Sequence, residues 1–229
     1  MSREFLPVLE SDGNLLKVKG KIERSKAHGK TPVFHATAII AAILPDGRML
    51  LADKTEKQNR KYLSQNKPTL PPGCRIYDCF GGHMRYEDIP ENELASGVSM
   101  ETFKSCAMRE FSEELLIKDE NNNLKPFTPK ESKMIPLGMY EMANDHNCEY
   151  SWVFVYKLES FGPYFSEDSF TVGSEDEIIS QPVIYADSKK LMDIYLSHDP
   201  LSRLSDAAGR VIAKDGIEAF ERYMVPQKQ

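Results

Sequence analysis

Three glutamates, Glu110, Glu113 and Glu114, lie close together near the end of the segment SMETFKSCAMREFSEELLI at residues 99–117. In a helix these side chains project from one flank, because positions i, i+3 and i+4 share a face. Neighbouring carboxylates repel one another and weaken a helix by about 0.2–0.5 kcal/mol per pair. A bound Mg²⁺ ion reverses that effect, since Mg²⁺ prefers oxygen ligands. The cluster therefore predicts either a magnesium site or an acidic helix face in solvent.

The rest of the segment predicts the helix that would carry these carboxylates. Its apolar residues fall within a sector of about 120° on a helical wheel and form one buried stripe. The stripe consists of Phe103, Ala107, Phe111 and Leu115. Ser99 is a typical N-cap residue. Because Leu116 rather than a glycine follows the cluster, the helix is expected to continue to about Lys118.

The spacing of the charged residues resembles a known family. Glu101, seven further residues and then REFSEELLI reproduce most of the Nudix box, usually written GX5EX7REUXEEXGU with U an apolar residue. The segment YDCFGGHM resembles the Gly-Gly stretch that opens this box, and the resemblance extends over Val33 to Ala186. Two departures stand out. Gly82 and Glu101 are separated by 18 residues instead of five, and Leu116 replaces a glycine of the box.

The resemblance implies an enzyme that hydrolyses a diphosphate bond with Mg²⁺, or with Mn²⁺ as a substitute. It implies the metal ligands Glu110, Glu113, Glu114 and Gly82, the last through its carbonyl. It also implies that Arg109 and Glu101 form an ion pair that orients the ligands, so that Glu110, Arg109 and Glu101 are the catalytic residues. The expected partner is a small molecule, such as a nucleoside diphosphate linked to another moiety. No residue identifies which one.

Other carboxylates are candidates for an additional base or metal ligand. Glu149 precedes an apolar strand-like run, and Glu175 and Glu177 lie in the segment GSEDEI. The same segment fits a helix capping box, with Ser174 as the N-cap and Glu177 at the third helical position. Both interpretations stay open on the sequence alone.

Two alternatives to hydrolysis also stay open. The order of VFHA, YDCFGGH and CEYSWVF loosely resembles the isopentenyl-diphosphate isomerase branch of the Nudix superfamily, in which His and Glu ligands bind metal and a Cys and a Glu move protons. Cys79 lies four residues before His83, however, whereas the isomerase cysteine lies two before its histidine. The second alternative is a non-catalytic regulatory domain that binds a nucleotide, although three adjacent carboxylates argue against it.

The sequence contains five histidines. His35 and His83 are the two that bring the isomerase branch into consideration, and His83 on its own predicts a hydrogen-bonding loop residue. We expect His28, His146 and His198 on the surface.

Strand-like and helix-like segments alternate irregularly, with hairpins among the strands, which predicts an α/β fold with a mixed sheet. The family resemblance makes this a single Nudix α/β/α sandwich over residues 1–229. Its expected parts are an N-terminal extension with a hairpin at 1–31, a core at 32–186 with an insertion at 84–98, and C-terminal helices at 187–229. We expect the insertion to shape substrate access rather than the metal site.

Composition argues against some classes of function. The net charge of −6 disfavours binding to a nucleic acid polymer, and no apolar run reaches the length of a membrane span. We expect a cytoplasmic protein without a disulfide framework, in which most of the four cysteines are small buried thiols. A homodimer is one candidate assembly. The segment from Lys54 to Lys67 is basic, which predicts either a solvated loop or a segment that binds a small phosphorylated ligand.

Overall fold

The computed structural model describes residues 3–13, 15–28, 31–64, 66–121, 123–159, 169–174, 177–196, 202–204 and 206–226. The strands are β1 (Phe5–Asp12), β2 (Leu15–Glu23), β3 (Phe34–Ile43), β4 (Met49–Asp53), β5 (Arg75–Asp78), β6 (Phe80–His83), β7 (Leu115–Lys118), β8 (Leu124–Pro126), β9 (Met134–Ala143), β10 (Cys148–Lys157), β11 (Phe170–Ser174), β12 (Glu177–Gln181), β13 (Val183–Ala186) and β14 (Ser202–Leu204). The helices are α1 (Arg24–Ala27), α2 (Thr55–Ser64), α3 (Glu91–Ser96), α4 (Met100–Glu114), α5 (Ser188–Tyr195), α6 (Asp206–Asp215) and α7 (Glu218–Glu221).

The chain divides into two compact units. The first contains Met1–Ile40, Gly81–Glu110 and Lys130–Phe154, and the second contains Ala41–Phe80, Phe111–Pro129 and Val155–Gln229. Strand pairs are mostly antiparallel, and β5 and β14 form a parallel pair. The molecule therefore has the mixed α/β architecture that the sequence predicts.

In the first unit, β1 and β2 form the predicted N-terminal hairpin, in antiparallel register from Phe5 opposite Glu23 to Asp12 opposite Leu15. The turn includes Gly13 at a φ of 65°, a left-handed conformation that glycine adopts without strain. Residues of the predicted insertion pack on this hairpin, since the amide of Val98 donates to the carbonyl of Leu16 at 2.9 Å. The insertion contains a short 3₁₀ turn at Tyr86–Asp88 followed by α3.

The remaining strands of the first unit are the start of β3, β6, β9 and the start of β10. β3 lies between β6 and β10, and β9 follows β10. β3 is buried almost throughout, as expected for its small and β-branched residues. Its one interior hydroxyl, on Thr37, forms a hydrogen bond of 2.5 Å with the hydroxyl of Ser151 on β10. That bond satisfies both buried groups.

In the second unit, β4 is the central strand. One edge pairs with β13 from Val183 opposite Ala52 to Ala186 opposite Met49, and the other edge pairs first with the end of β3 and then with β5. All five residues of β4 are buried. Strands β12, β11, β7 and β8 form a separate four-stranded sheet in that order.

Several local predictions are wrong, and in the first two cases strand pairing between distant segments overrides the local pattern. Helix α4 ends at Glu114 instead of Lys118, because Leu115 to Lys118 pair with β11 and β8 as a strand. The GSEDEI segment is not a capping box: β11 ends at Ser174 and Glu177 begins β12. The basic segment is not a loop, since Thr55–Ser64 is helical. The C-terminal region is not entirely helical, because strand β14 lies between α5 and α6.

Other predictions are confirmed. The thiols of Cys74, Cys79, Cys106 and Cys148 are buried and not in disulfides. Burial raises the pKa of the Cys79 and Cys106 thiols well above the usual value, so neither is a reactive thiolate near neutral pH. No helix in the described ranges is both long enough and apolar enough to cross a bilayer.

Candidate functional site

Helix α4 carries the three glutamates, and its start is well capped. The hydroxyl of Ser99 accepts the amide of Thr102 at 3.3 Å, so the predicted N-cap is confirmed. Glu93 of α3 reinforces this end, because its carboxylate accepts the Ser99 amide, the Ser99 hydroxyl and the Thr102 hydroxyl. The predicted apolar stripe is also confirmed, with no solvent exposure at Phe103, Ala107, Phe111 or Leu115. A buried stripe fixes the rotation of the helix and hence the flank on which the acids lie.

Gly82 lies directly against the carboxylate of Glu110. A Cβ atom added at Gly82 would be 2.1 Å from Oε2 of Glu110 and 2.6 Å from its Cδ. A contact below 3.0 Å is not sustainable, so a side chain at position 82 would displace the carboxylate. The structure thus brings together two of the residues that the Nudix resemblance assigns to the metal.

Arg109 is held by several acceptors of the first unit. Its guanidinium donates to Oε1 of Glu110 at 2.5 Å, to Oδ2 of Asp88 at 2.9 Å and to the carbonyl of His83 at 3.1 Å. These bonds fix the Glu110 carboxylate beside β6. Arg109 therefore acts on Glu110 through a charge-assisted hydrogen bond, the stronger class of protein hydrogen bond.

The expected pairing of Arg109 with Glu101 is not among the ion pairs of the described residues. Glu101 lies in the first turn of α4 with its side chain 61% exposed, and its neighbour is Lys104 at 3.6 Å. The guanidinium instead pairs with Asp88, which comes from the inserted segment. The insertion therefore contacts a predicted site residue, in contrast with the expectation that it shapes substrate access alone.

Replacing Asp88 tests whether its carboxylate stabilises the fold through Arg109. We expect Asp88→Ala to lower the free energy of unfolding by about 2 kcal/mol, because the Arg109 guanidinium and the Arg85 amide each lose an acceptor. Chemical denaturation measures the change. Glu87→Ala is the matched control at the exposed neighbouring position and should shift the value by less than about 0.5 kcal/mol. Equal effects of the two substitutions would contradict the role assigned to Asp88.

In the second unit, Glu114 is paired with lysines. Its side chain is only 11% exposed, Lys54 Nζ donates to its Oε1, and Lys57 Nζ lies 3.9 Å from the same oxygen. A carboxylate this far from water requires a cationic partner. Lys54 immediately precedes helix α2, so the basic segment is positioned beside one of the three glutamates.

The additional carboxylates separate into different environments. Glu149 is buried at the start of β10, and its Oε1 accepts the Asn147 side-chain amide at 2.7 Å. Glu177 is the first residue of β12, and Glu175 lies outside the described residues.

Three histidines from separate elements lie together in the first unit. The imidazole of His28 is 4.8 Å from that of His35 and 5.3 Å from that of His83, measured between ring centroids. The expectation of a surface residue at His28 is therefore wrong, since it is partly buried in this cluster, and His83 is the last residue of a strand rather than a loop residue. His146 is exposed as expected, and His198 lies outside the described residues. Sequence periodicity gives no signal for such a cluster, because its members come from separate elements.

A cleft of about 650 Å³ lies elsewhere, within the second unit. It is lined by basic and aromatic residues that include Arg48, Lys118, Lys190 and Tyr185. None of the predicted site residues whose side chains the structure describes lines it.

Comparison with known proteins gives matches among solved structures. No family model and no curated protein matches the sequence. The MutT protein from Methanosarcina mazei Go1 is 16% identical with a TM-score of 0.42, over 82% of this chain and 94% of that one. A MutT Nudix hydrolase from Burkholderia pseudomallei is 14% identical with a TM-score of 0.37, over 69% and 86%. An ADP compounds hydrolase is 13% identical with a TM-score of 0.38, over 96% and 91%.

Proposed function

We propose that the chain is a Nudix-type hydrolase that cleaves a diphosphate bond in a small molecule with the help of Mg²⁺. The single observation that carries this proposal is the set of three carboxylates, Glu110, Glu113 and Glu114, spaced along one flank of α4 in register with Arg109. Such an arrangement costs helix stability without a cation and gains from one. A nucleoside diphosphate linked to another moiety is the proposed substrate class.

The residues present fit a magnesium ion. Their side chains offer only carboxylate oxygens, and the absence of a Cβ at Gly82 leaves the β6 backbone close to the Glu110 carboxylate. We assign Glu110, Glu113 and Glu114 as the side chains that would hold Mg²⁺, with the carbonyl of Gly82. When bound there, Mg²⁺ supplies charge neutralisation for the diphosphate and lowers the pKa of water. Mn²⁺ shares the oxygen preference and is expected to substitute.

Arg109 has a positioning role in this proposal. Its hydrogen bonds to Glu110, Asp88 and the His83 carbonyl hold the carboxylate in one place before any ligand arrives. Glu110 is also proposed as the general base that accepts a proton from water. Glu149, Glu175 and Glu177 remain the other candidates for that base or for a further ligand.

Lys54 is proposed to contact the diphosphate. Lys54 donates to Glu114, and Lys57 lies close to the same carboxylate. Two ammonium groups therefore lie beside this glutamate. A lysine beside an acidic metal ligand can neutralise phosphoryl oxygens as a point charge.

We expect Lys54→Met to lower kcat/KM by about tenfold or more while leaving Mg²⁺ affinity unchanged or tighter. The substitution removes one charge from the substrate contact, a loss of about 1.4 kcal/mol or more, and also removes a cation that competes for Glu114. Steady-state kinetics and calorimetric Mg²⁺ titration measure the two effects separately. Lys61→Met, at an exposed position of α2, is the control. Weaker Mg²⁺ binding with an unchanged kcat/KM would refute the phosphate role.

The proposed function is tested by a Mg²⁺-dependent screen of nucleotide sugars, dinucleoside polyphosphates, NADH, ADP-ribose and oxidised nucleotides. Reaction in ¹⁸O-labelled water identifies the phosphorus that is attacked. Isopentenyl diphosphate is included, and its conversion to the allylic isomer would replace hydrolysis with the isomerase alternative. Tight nucleotide binding with no turnover over hours would favour a regulatory domain.

A further inference from the structure

We propose that the cleft of about 650 Å³ in the second unit is a separate binding site for a small phosphorylated ligand that also carries a flat apolar group, the chemistry of a nucleotide. Its lining combines cationic side chains with aromatic and aliphatic ones. These residues include Arg48, Lys118, Lys190, Phe170, Pro182 and Tyr185. All of them belong to the second unit, and the site does not depend on the proposed hydrolase function.

The cleft lies where the chain passes from one sheet to the other. Strand β12 pairs with β11, Pro182 follows it, and β13 then pairs with β4 in the larger sheet. The two sheets therefore meet at Pro182. Beyond this junction the cleft opens between them, with Tyr185 of β13 on one side and Phe170 of β11 on the other. Its volume falls within the range of about 300–1,000 Å³ that is typical of small-molecule sites.

The three cations lie at the end of the cleft that is farther from the junction. The carbonyl of Pro182 accepts the amide of Asp53 at the end of β4, whereas Arg48 immediately precedes the start of that strand. Lys190 lies in the first turn of α5, beyond the far end of β13. Lys118 ends β7, the strand whose start pairs with the part of β11 that adjoins β12. The cleft thus has an apolar inner part and a cationic outer part.

The outer part concentrates positive charge on a chain whose net charge is −6. No Asp or Glu lines the cleft among the residues that the structure describes. Lys118 and Lys190 are exposed, and within the described ranges neither ammonium group has an ion-pair partner. Like charges held at one opening repel each other, and an anion bound between them removes that cost. Lysine ammonium groups bind phosphate as point charges, which suits this arrangement.

Arg48 joins the cationic part of the cleft to the aromatic part. Its Nε donates to Oδ2 of Asp46 at 2.7 Å, and its guanidinium carbon lies 5.1 Å from the centroid of the Tyr185 ring. These contacts fix the guanidinium plane against the phenol ring. The Asp46 carboxylate offsets the charge of Arg48, so the net positive charge of the outer part comes from the two lysines.

Aromatic and aliphatic side chains form the inner part. Phe170 is buried at the wall of the cleft and Tyr185 is partly buried. Aromatic rings provide stacking surface for a nucleobase or another flat group, whichever base it is. Inorganic phosphate would contact only the cations, and an uncharged ring would contact only the inner part. A ligand that carries both groups uses the whole cleft.

The cationic end of the cleft is distinct from the acidic flank of α4. Lys54, which donates to Glu114, immediately follows β4, whereas Arg48 immediately precedes it. The five residues of this strand span about 17 Å. Glu114 immediately precedes β7, and Lys118 is the last residue of that strand. A phosphate held by Lys118 and Lys190 is therefore away from the three glutamates, so its ligand is expected to act as an effector rather than as a substrate.

The test measures ligand binding by calorimetry on the full chain in the presence of EDTA, which removes the divalent ions that the acidic flank would use. The probes are AMP, adenosine, which lacks the phosphate, and ribose 5-phosphate, which lacks the base. We expect one AMP to bind per chain, about tenfold or more tightly than either fragment, because only AMP contacts both parts of the cleft. Added NaCl should weaken AMP binding, since the lysines are exposed and screened by salt.

Substitutions locate the bound AMP. Lys118→Met and Lys190→Met should each weaken its binding by about tenfold, because each removes a charge-assisted contact to phosphate. Lys189→Met is the matched control: it removes the neighbouring charge on α5, which pairs with Asp193, and should change AMP binding by less than about twofold. The substituted lysines are exposed, so all three variants are expected to keep the native Tm.

Glu110→Gln separates this site from the proposed hydrolase site. AMP binding should be unchanged in this variant, and Lys190→Met should keep the basal kcat/KM of any hydrolase activity found in the screen. The proposal is overturned if AMP does not bind, if either fragment binds as tightly as AMP, or if Lys189→Met weakens binding as much as Lys190→Met does. Loss of AMP binding in Glu110→Gln would also overturn it, since AMP would then occupy the acidic flank.

Discussion

Glu110→Gln is expected to lower kcat by about 10²–10³-fold at saturating Mg²⁺, the range typical for loss of one preorganised charge-stabilising group. The substitution keeps the shape of the side chain and removes the charge that contacts Arg109 and that would bind the proposed Mg²⁺ ion. Gln can still accept from Arg109 Nη1 through its amide oxygen, so the fold around β6 should persist. Turnover of the substrate found in the screen and Mg²⁺ affinity are the measured quantities.

Glu114→Gln should reduce turnover to a similar extent but with a structural side effect. Its loss leaves Lys54 without its buried carboxylate partner, so stability should fall together with activity. Glu110→Gln is therefore the cleaner variant, and thermal unfolding of both separates the two effects. Glu120→Gln, at an exposed position beyond β7, is the control for a generic loss of negative charge. Activity of Glu110→Gln within threefold of the native chain would sink the assignment of the acidic flank as a metal site.

Gly81→Ala is expected to cause a large loss of stability. Gly81 has a φ of 129°, and an added Cβ would lie 2.1 Å from the carbonyl oxygen of Ala38 and 2.9 Å from the Cα of Ile39. Both atoms belong to the backbone of β3, which cannot yield as a flexible side chain can. Backbone strain and overpacking of about 1–3 kcal/mol each give an expected loss of about 3 kcal/mol or more.

Denaturant or thermal unfolding measures this loss, which corresponds to a fall in Tm of roughly 6–12 °C for a chain of this size. Gly138→Ala is the matched control in β9, because its added Cβ would meet the Tyr140 ring at 3.5 Å, an ordinary contact. Because Gly82 and His83 follow directly, Gly81→Ala should also disturb the acidic flank and the histidine cluster. A Tm for Gly81→Ala within about 2 °C of the control would show that β6 does not approach β3 this closely.

Helix α4 shows which features the sequence predicts and which it does not. Its buried stripe, its Ser99 cap and the common flank of the three glutamates follow from a period of 3.6 residues, a local property that packing does not alter. The end of the helix was not predictable in the same way. Leu115 to Lys118 are apolar enough for either structure, and pairing with β11 and β8 makes them a strand.

The contacts between the acidic residues and their cationic partners likewise depend on the tertiary structure and not on a local pattern. The resemblance to the box implies an ion pair between Arg109 and Glu101, whereas the structure pairs Arg109 with Asp88. Asp88 lies 21 positions away, in a segment that departs from the family pattern. Lys54 lies 60 positions from Glu114, and only the fold brings the two together.

The sequence by itself therefore determined the mixed α/β class, the N-terminal hairpin and the acidic flank of α4, because each depends on periodicity or turn chemistry within a few residues. Tertiary structure alone decided which basic side chains contact these glutamates. It also decided that Gly82 lies against Glu110 and that His28, His35 and His83 lie together. Those contacts join residues on different elements, and their geometry is set by strand register and close packing, which a one-dimensional pattern does not encode.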